Sequence, residues 1–204
     1  MIPAIVLAAG KSTRMGRPKA TLPLDGGDTF LSRIVRTFAA AAVEDVVVVV
    51  GHEAAGVIAS FANVDVTARF VENPDYEQGQ LSSLLAGLRV IDRPGVEAAL
   101  LTLVDVPLVG AATVRAVVDC YRRTRAPIVR PVRGDEHGHP VLIDRSLFDA
   151  IRHADPAIGA KPIIRANVSA AGDVAVDDPG AFADFDTPGD YNKLPRKTTS
   201  PTEK

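Results

Sequence analysis

A cluster of basic residues follows the first apolar run of the chain. In IVLAAGKSTRMGRPK the run ends at Gly10, and four basic residues follow within nine positions. Gly10 and Gly16 let the backbone turn sharply and approach a ligand, and consecutive loop NH groups can form a concave anion site. Arg14 and Lys19 add charge-assisted donors that suit several phosphate oxygens. The segment therefore indicates a triphosphate site.

The spacing of this loop differs from that of two common phosphate-binding motifs. It does not match the P-loop pattern GxxxxGK[ST], and it lacks the GxGxxG spacing of dinucleotide-binding proteins. On composition alone, a solvated basic surface loop is an equal alternative. The choice between the two depends on the other candidate residues.

Three further segments carry side chains that could act beside phosphates. Asp105 directly follows ALLTLV, so it either caps a turn or binds a magnesium ion through its carboxylate. Magnesium needs only one or two protein carboxylates, because phosphate oxygens and water complete its coordination shell. Ser82 and Ser83 stand at the start of an apolar set with helical spacing, and one of them is expected to cap that helix. His139 either holds a turn before the apolar run VLI or contacts a ligand.

Composition limits the class of protein. The 204 residues are 47% hydrophobic with a mean hydropathy of +0.12, which predicts one domain over residues 1–194 and a disordered polar tail at 195–204. A net charge of -2 argues against a nucleic-acid or membrane-surface binder. The single Cys120 excludes an internal disulfide, and no apolar run approaches the roughly 20 residues of a membrane span. We therefore expect a cytoplasmic protein.

Strands alternating with helices must position these side chains. Continuous apolar runs predict buried strands at Ile5–Ala8, Val46–Val50, Ala99–Val104 and Ile128–Val132. Apolar residues at helical spacing predict helices near 30–38, 81–88 and 114–121. This order predicts an α/β class with a mostly parallel sheet and helices on both faces. In such sheets ligands bind outside the carboxyl ends of the strands, where Gly10 to Lys19, Gly51 to His52 and Asp105 to Pro107 lie.

The motifs resemble those of a known family. LAAGKSTRMGRPK is similar to the LAAGxSxRMGxxK signature of MobA-like nucleotidyltransferases, and particularly to the molybdenum cofactor cytidylyltransferase branch. Four later stretches resemble the family in the same order: ENPDYEQGQLSSLLAGL, LTLVDVPLV, GHPVLIDRSLF and FADFDTPGDYNKL. The resemblance implies a three-layer α/β/α, Rossmann-like fold of the GT-A-like nucleotidyltransferase type. It also implies transfer of a nucleoside monophosphate with release of pyrophosphate.

The resemblance assigns roles to single residues. It implies that Lys19 contacts the phosphates, that Arg14 neutralises the leaving pyrophosphate, and that Asp105 is catalytic. The nucleotide-binding residues that it implies are Leu7, Ala8, Ala9, Gly10, Lys11, Ser12, Arg14, Met15, Gly16, Lys19, Gly79 and Ser83. In the family LAAG goes with cytidine and LAGG with guanosine, so Ala8 and Ala9 imply CTP rather than GTP.

The same resemblance implies a metal and an acceptor. Magnesium would be held by Asp105 and Asp186, with Asp184 as a rival two positions away. A molybdopterin-type acceptor would bind at Gly138, His139 and Pro140, and a molybdoenzyme is a candidate partner. The sequence departs from the family pattern at three positions near the acceptor and the metal, which are Val106, Lys161 and Gly189. These departures weaken the assignment of the acceptor more than the assignment of the reaction.

Two alternatives remain open at this point. One is a GTP- or CTP-dependent nucleotidyltransferase for another phosphorylated acceptor, such as methylerythritol phosphate or a sugar phosphate. The other is a non-catalytic nucleotide-binding accessory protein for molybdoenzymes. The presence of Arg14, Lys19, Asp105 and Asp186 favours an enzyme.

Overall fold

The computed structural model describes residues 1–194, and the predicted tail at 195–204 lies outside the described residues. The strands are β1 Ala4–Ala8, β2 Val46–Val50, β3 Arg69–Glu72, β4 Ala98–Leu103, β5 Ile128–Arg133, β6 Glu136–His137, β7 Val141–Asp144 and β8 Asp173–Ala175. The α-helices are α1 Phe30–Ala40, α2 Ala54–Phe61, α3 Gln80–Ile91, α4 Ala111–Thr124, α5 Phe148–Arg152, α6 Lys161–Ala166 and α7 Pro188–Asn192. Within residues 1–194, none of these helices has the length and hydrophobicity to cross a membrane.

The strands form one mixed sheet in the order β3-β2-β1-β4-β7-β5-β6, with β8 paired to β5. From β3 to β4 the pairing is parallel, and β8 is parallel to β5. Strand β7 runs antiparallel to both of its neighbours, β4 and β5, and β6 is antiparallel to β5. The predicted α/β class with a mostly parallel sheet is confirmed, and the antiparallel strands are confined to the half of the sheet beyond β4.

Strand β1 lies between two hydrophobic cores. Its side chains alternate between the two faces of the sheet, and all five residues are buried. Val6 and Ala8 belong to the core that includes α1, α2 and α4, whereas Ile5 and Leu7 belong to the core that includes α3 and α5. The protein therefore has three layers, and β1 delivers Gly10 to the carboxyl edge of the sheet.

Helix α3 packs very closely on β1. The contact is made by Gly87, where an added Cβ would lie 2.8 Å from Cγ2 of Ile5, which is itself 0% exposed. A side chain at this point would push the helix away from the strand. Close packing therefore fixes α3 against the strand that ends at the basic loop.

Two helical glycines provide a matched pair for testing this packing. We expect Gly87→Ala to lower the free energy of unfolding by about 1–3 kcal/mol, because the new methyl group overpacks against Ile5. Gly56, in α2, is exposed and has no atom within 4 Å of an added Cβ. Gly56→Ala should therefore raise the free energy of unfolding by up to about 1 kcal/mol through helix propensity. Urea denaturation measures the free energy of unfolding of both variants. Equal changes in the two variants would contradict the close contact between Gly87 and Ile5.

Candidate active site

A cavity of about 350 Å³ opens at the carboxyl ends of β1 and β4, the edge at which the sequence predicts a ligand. Ten of the predicted site residues line it: Leu7, Ala9, Gly10, Ser12, Arg14, Lys19, Gly79, Ser83, Asp105 and Asp186. The cavity therefore brings together the basic loop, the start of α3, the end of β4 and the closing segment of the described chain.

Lys19 joins two carboxylates from distant parts of the sequence. Its Nζ lies 3.0 Å from Oδ2 of Asp105 and 2.5 Å from Oδ1 of Asp186, and its side chain is only 10% exposed. Arg14 donates to the other oxygen of Asp186, Oδ2, at 2.9 Å. The hydrogen bond from Lys19, and then the charges of Lys19 and Arg14, lower the pKa of Asp186 against the opposing effect of burial. Asp186 is therefore held as a carboxylate between two cations.

The basic loop folds back on itself so that Lys19 points toward the sheet edge. Ser12 and Gly16 have the left-handed φ values of 50° and 69°, and the backbone NH of Met15 donates to the carbonyl of Ser12 at 2.8 Å. The backbone NH of Lys19 donates to Oγ of Ser12 at 3.2 Å. Ser12 therefore connects the first part of the loop to Met15 and Lys19, and Gly16 provides a turn that residues with a side chain rarely adopt.

A backbone hydrogen bond places Asp186 beside Asp105. The NH of Phe185 donates to the carbonyl of Asp105 at 2.9 Å, and the Phe185 ring packs edge-on against Phe30 with 5.8 Å between ring centroids. Asp186 follows directly and lines the cavity, whereas Asp184 is exposed and lies outside the lining. The geometry therefore favours Asp186 over Asp184 as the partner of Asp105.

The carboxylates fit a divalent cation. Oδ1 of Asp105 is buried and has no hydrogen-bond partner among residues 1–194, a situation that costs free energy unless a cation or donor arrives. Within the same residues there is no group of three or more His, Cys, Asp or Glu side chains that could hold a metal. Asp105 and Asp186 alone suit magnesium, which completes its shell with phosphate oxygens and water.

Ser83 is oriented by a buried asparagine. Nδ2 of Asn73, a residue that is 4% exposed, donates to Oγ of Ser82 at 2.9 Å and to Oγ of Ser83 at 3.1 Å. Because each hydroxyl accepts from Asn73, Ser83 can direct its own proton into the cavity. The prediction that Ser82 or Ser83 caps α3 is wrong, since Gly79, with a φ of 100°, is the N-cap and both serines lie inside the helix.

Four residues of the predicted nucleotide site do not line the cavity: Ala8, Lys11, Met15 and Gly16. Ala8 points into the core on the other face of β1 from Ala9, and Met15 packs against that same core. Lys11 forms an ion pair with Glu77, and both side chains are largely exposed. This ion pair connects the basic loop to the turn that precedes α3.

The predicted acceptor residues Gly138, His139 and Pro140 also lie outside the cavity lining. Nδ1 of His139 is 3.4 Å from the carbonyl oxygen of Leu101 on β4. Burial lowers the pKa of His139, against the opposing effects of that hydrogen bond and of the Asp105 and Asp184 charges. His139 therefore lies beside Leu101 of β4, and its burial favours the neutral imidazole.

The structure adds five lining residues that sequence reasoning missed: Thr13, Tyr76, Gln80, Leu103 and Val104. A signal for Tyr76 existed at Gly51, immediately after β2. An added Cβ at Gly51 would lie 2.7 Å from the Tyr76 side chain. The glycine therefore makes room for the ring that forms one wall of the cavity.

Comparison with known proteins identifies the family. Residues 4–171 match the model of the MobA-like NTP transferase domain. A probable molybdenum cofactor guanylyltransferase of Mycobacterium tuberculosis is 34% identical over 165 residues, which cover 76% of this chain and 73% of that protein. The bifunctional IPC transferase and DIPP synthase of Rubrobacter xylanophilus is 44% identical over 92 residues, and the match spans only 21% of that longer protein.

Solved structures agree with this assignment. The crystal structure of Rv0371c from Mycobacterium tuberculosis has a TM-score of 0.78 and 28% sequence identity, and the match covers 95% of this chain and 96% of that one. A manganese complex of the same protein matches with a TM-score of 0.73. The chain belongs to the MobA-like NTP transferase family, and it is a nucleotidyltransferase.

Proposed function

We propose that the protein transfers CMP from CTP to a molybdopterin-type cofactor and releases pyrophosphate, with magnesium as the metal, in the cytoplasm. The observation that carries the proposal is the contact of Lys19 with Asp105 and Asp186 inside a cavity that Arg14 also lines. The acceptor is supported by the name of the Mycobacterium tuberculosis relative, a probable molybdenum cofactor guanylyltransferase. That name specifies guanylyl transfer, so the choice of CTP depends on the residues of β1 and its loop.

The chemistry is a displacement at phosphorus. An oxygen of the acceptor phosphate forms a bond to the α-phosphorus of the nucleotide, and the bond from that phosphorus to the bridging oxygen of pyrophosphate breaks. Positioning and charge neutralisation provide most of the rate enhancement in such reactions. Lys19, Arg14 and the NH groups of the basic loop would bind the phosphates and stabilise the leaving pyrophosphate.

Asp105 and Asp186 would hold the magnesium ion, which neutralises phosphate charge when it is bound. The unpartnered Oδ1 of Asp105 supports this role, as does the manganese complex of the structural neighbour. Lys19 occupies one oxygen of each carboxylate. A metal ion therefore competes with Lys19 until nucleotide phosphates provide the ammonium with another partner.

Ala9 is the residue that we expect to influence the choice of base. It lines the cavity together with Gly79 and Ser83, whereas Ala8 faces the core. The methyl group of Ala9 fills space beside the pocket, which favours the smaller pyrimidine over a purine. Ser83 can hydrogen-bond to the base or the ribose because Asn73 orients its hydroxyl.

Pyrophosphate release with each of the four nucleoside triphosphates tests the substrates. With magnesium and molybdopterin, we expect the largest kcat/KM for CTP, and Ala9→Gly should shift the ratio of CTP to GTP activity toward GTP by about tenfold, equivalent to about 1.4 kcal/mol. Turnover with methylerythritol phosphate but not with molybdopterin would contradict the proposal that the acceptor is a molybdopterin-type cofactor. Nucleotidyl transfer as the reaction would remain supported. An unchanged CTP to GTP ratio in the variant would overturn the role of Ala9.

Asp105→Asn should reduce the rate of pyrophosphate release by at least about 100-fold, because the amide keeps the shape of the side chain but removes the negative charge that would hold the metal ion. The matched control is Asp184→Asn, at an exposed acid outside the cavity lining. Its rate should remain within about twofold of the wild type. Comparable losses in both variants would contradict the choice of Asp186 over Asp184.

Lys19→Met tests the competition between the ammonium and the metal. Without nucleotide, this variant should bind Mn²⁺ about tenfold more tightly than the wild type, since two adjacent carboxylates lose the cation that balances them. Nucleotide binding should weaken in the same variant. Calorimetric titration measures both affinities. Lys193→Met, at an exposed lysine that pairs with Asp190, is the control, and equal Mn²⁺ affinities in both variants would disprove the competition.

A further inference from the structure

A large cavity lies at the edge of the sheet opposite the active site. Its volume is about 660 Å³, compared with about 350 Å³ for the active-site cavity. Val46 and Arg69, the first residues of β2 and β3, line it, so this basal cavity opens at the amino ends of the strands. Strand β1 has five residues, a length of about 17 Å, between the two edges. A molecule in the basal cavity therefore does not contact a nucleotide in the active site.

The inner wall of the basal cavity is apolar. It includes Val43, Val46 and Val118, which are buried members of the core that contains α1, α2 and α4. Cavities of roughly 300–1,000 Å³ with apolar walls and a few polar groups are typical of sites for small molecules. The wall indicates that part of the ligand is hydrophobic.

Four arginines line the same cavity: Arg69, Arg93, Arg115 and Arg122. Arg69 donates to Oδ1 of Asp45 at 2.8 Å, and Arg93 donates to Oδ2 at 2.7 Å. Burial opposes ionisation of Asp45, but the hydrogen bonds and charges of the two arginines lower its pKa. Asp45 is therefore ionised, and its single charge balances only one of these two arginines.

Arg115 and Arg122 lie on one face of α4 together with Val118. Nη1 of Arg115 donates to the carbonyl of Ala40 at 2.9 Å, and Arg115 forms no ion pair within residues 1–194. Nη1 of Arg122 lies 3.5 Å from Oδ1 of Asp119, and both of these side chains are more than half exposed. Since solvent screens such a pair, both guanidinium groups can bind a ligand.

The arginines of the lining outnumber its acids. The acidic lining residues are Glu44, Asp45 and Asp119, of which Glu44 and Asp119 are exposed. Four arginines and three acids give the lining a positive charge, although the whole chain has a net charge of -2. A positive cavity with an apolar wall suits an anion that carries a hydrophobic group.

We propose that the basal cavity binds an organic phosphate with an apolar body, as a ligand separate from the nucleotide and the acceptor. The apolar body packs on Val43, Val46 and Val118, and Arg115 and Arg122 bind the phosphate. Arginine binds phosphate through paired N–H donors, and the three oxygens of a phosphate group can serve two guanidinium groups at once. The inference does not depend on the proposed function, because no reacting group takes part in it.

Fluorescence titration with 1-naphthyl phosphate tests the inference, since this probe joins a phosphate to an apolar ring. We expect the wild-type chain to bind it, and Arg115→Met and Arg122→Met each to weaken binding about tenfold, because each removes one cation and keeps an unbranched side chain. The control is Arg123→Met. Arg123 is exposed, follows Arg122 directly on α4 and lies outside the lining, so its variant should bind the probe as the wild type does.

Two further measurements identify the site and the anionic group. Arg14→Met, at an exposed cation of the active-site cavity, should leave the affinity for the probe unchanged. The carboxylate 1-naphthoate, which has the same ring, should bind about tenfold more weakly than the phosphate, because it has less charge and one oxygen fewer.

Three results would overturn the inference. The first is absence of probe binding to the wild type, and the second is equal affinity in Arg122→Met and Arg123→Met. The third is loss of binding in Arg14→Met, which would place the probe in the active site. Equal affinities for 1-naphthoate and 1-naphthyl phosphate would overturn the choice of phosphate as the anionic group.

Discussion

The contact between the Lys19 ammonium and two carboxylates is the constraint on which the site depends. Asp105 and Asp186 come from segments 86 and 167 residues away from Lys19, and two nearby carboxylates repel each other unless a cation lies between them. A lysine that is 10% exposed likewise needs its counter-charges. Lys19 therefore stabilises both carboxylates and they stabilise it, and these contacts help to hold the basic loop, the end of β4 and the closing segment at one edge of the sheet.

Packing in the two hydrophobic cores fixes the positions at which β1 and β4 end. The two strands are parallel neighbours, with Leu7 paired to Leu103, so the residues that follow them emerge side by side. Helix α3 packs closely on β1 at Gly87 and Ile5, and this contact fixes the position of β1 on that face of the sheet. Strand β7, antiparallel to β4, carries His139 to the far side of that strand end. The mixed half of the sheet thus lies on the side of β4 that faces away from β1.

Local patterns in the sequence predicted most of the fold, because continuous apolar runs and helical spacing depend on neighbouring residues. The run VLI was interpreted as a strand, but its antiparallel direction in β7 was not predicted, because long-range pairing decides that direction. The Asn73 contact that orients Ser83 and the Lys11–Glu77 ion pair depend on folded geometry that composition does not encode. The family resemblance favoured Asp186 over Asp184, but the residues alone left both open, because side chains two positions apart in an extended segment lie on the same side. The fold supports Asp186, which lines the cavity, whereas Asp184 does not.

Gly79 lies at the boundary between two neighbouring cavities, the active-site cavity and the one beside it. Its backbone lines both cavities and also begins α3 at a φ of 100°, a conformation that a residue with a side chain adopts only with strain. Since it has no side chain, the wall between the cavities at this point is only a backbone thick. The same glycine that starts the helix therefore separates the two cavities by its backbone alone.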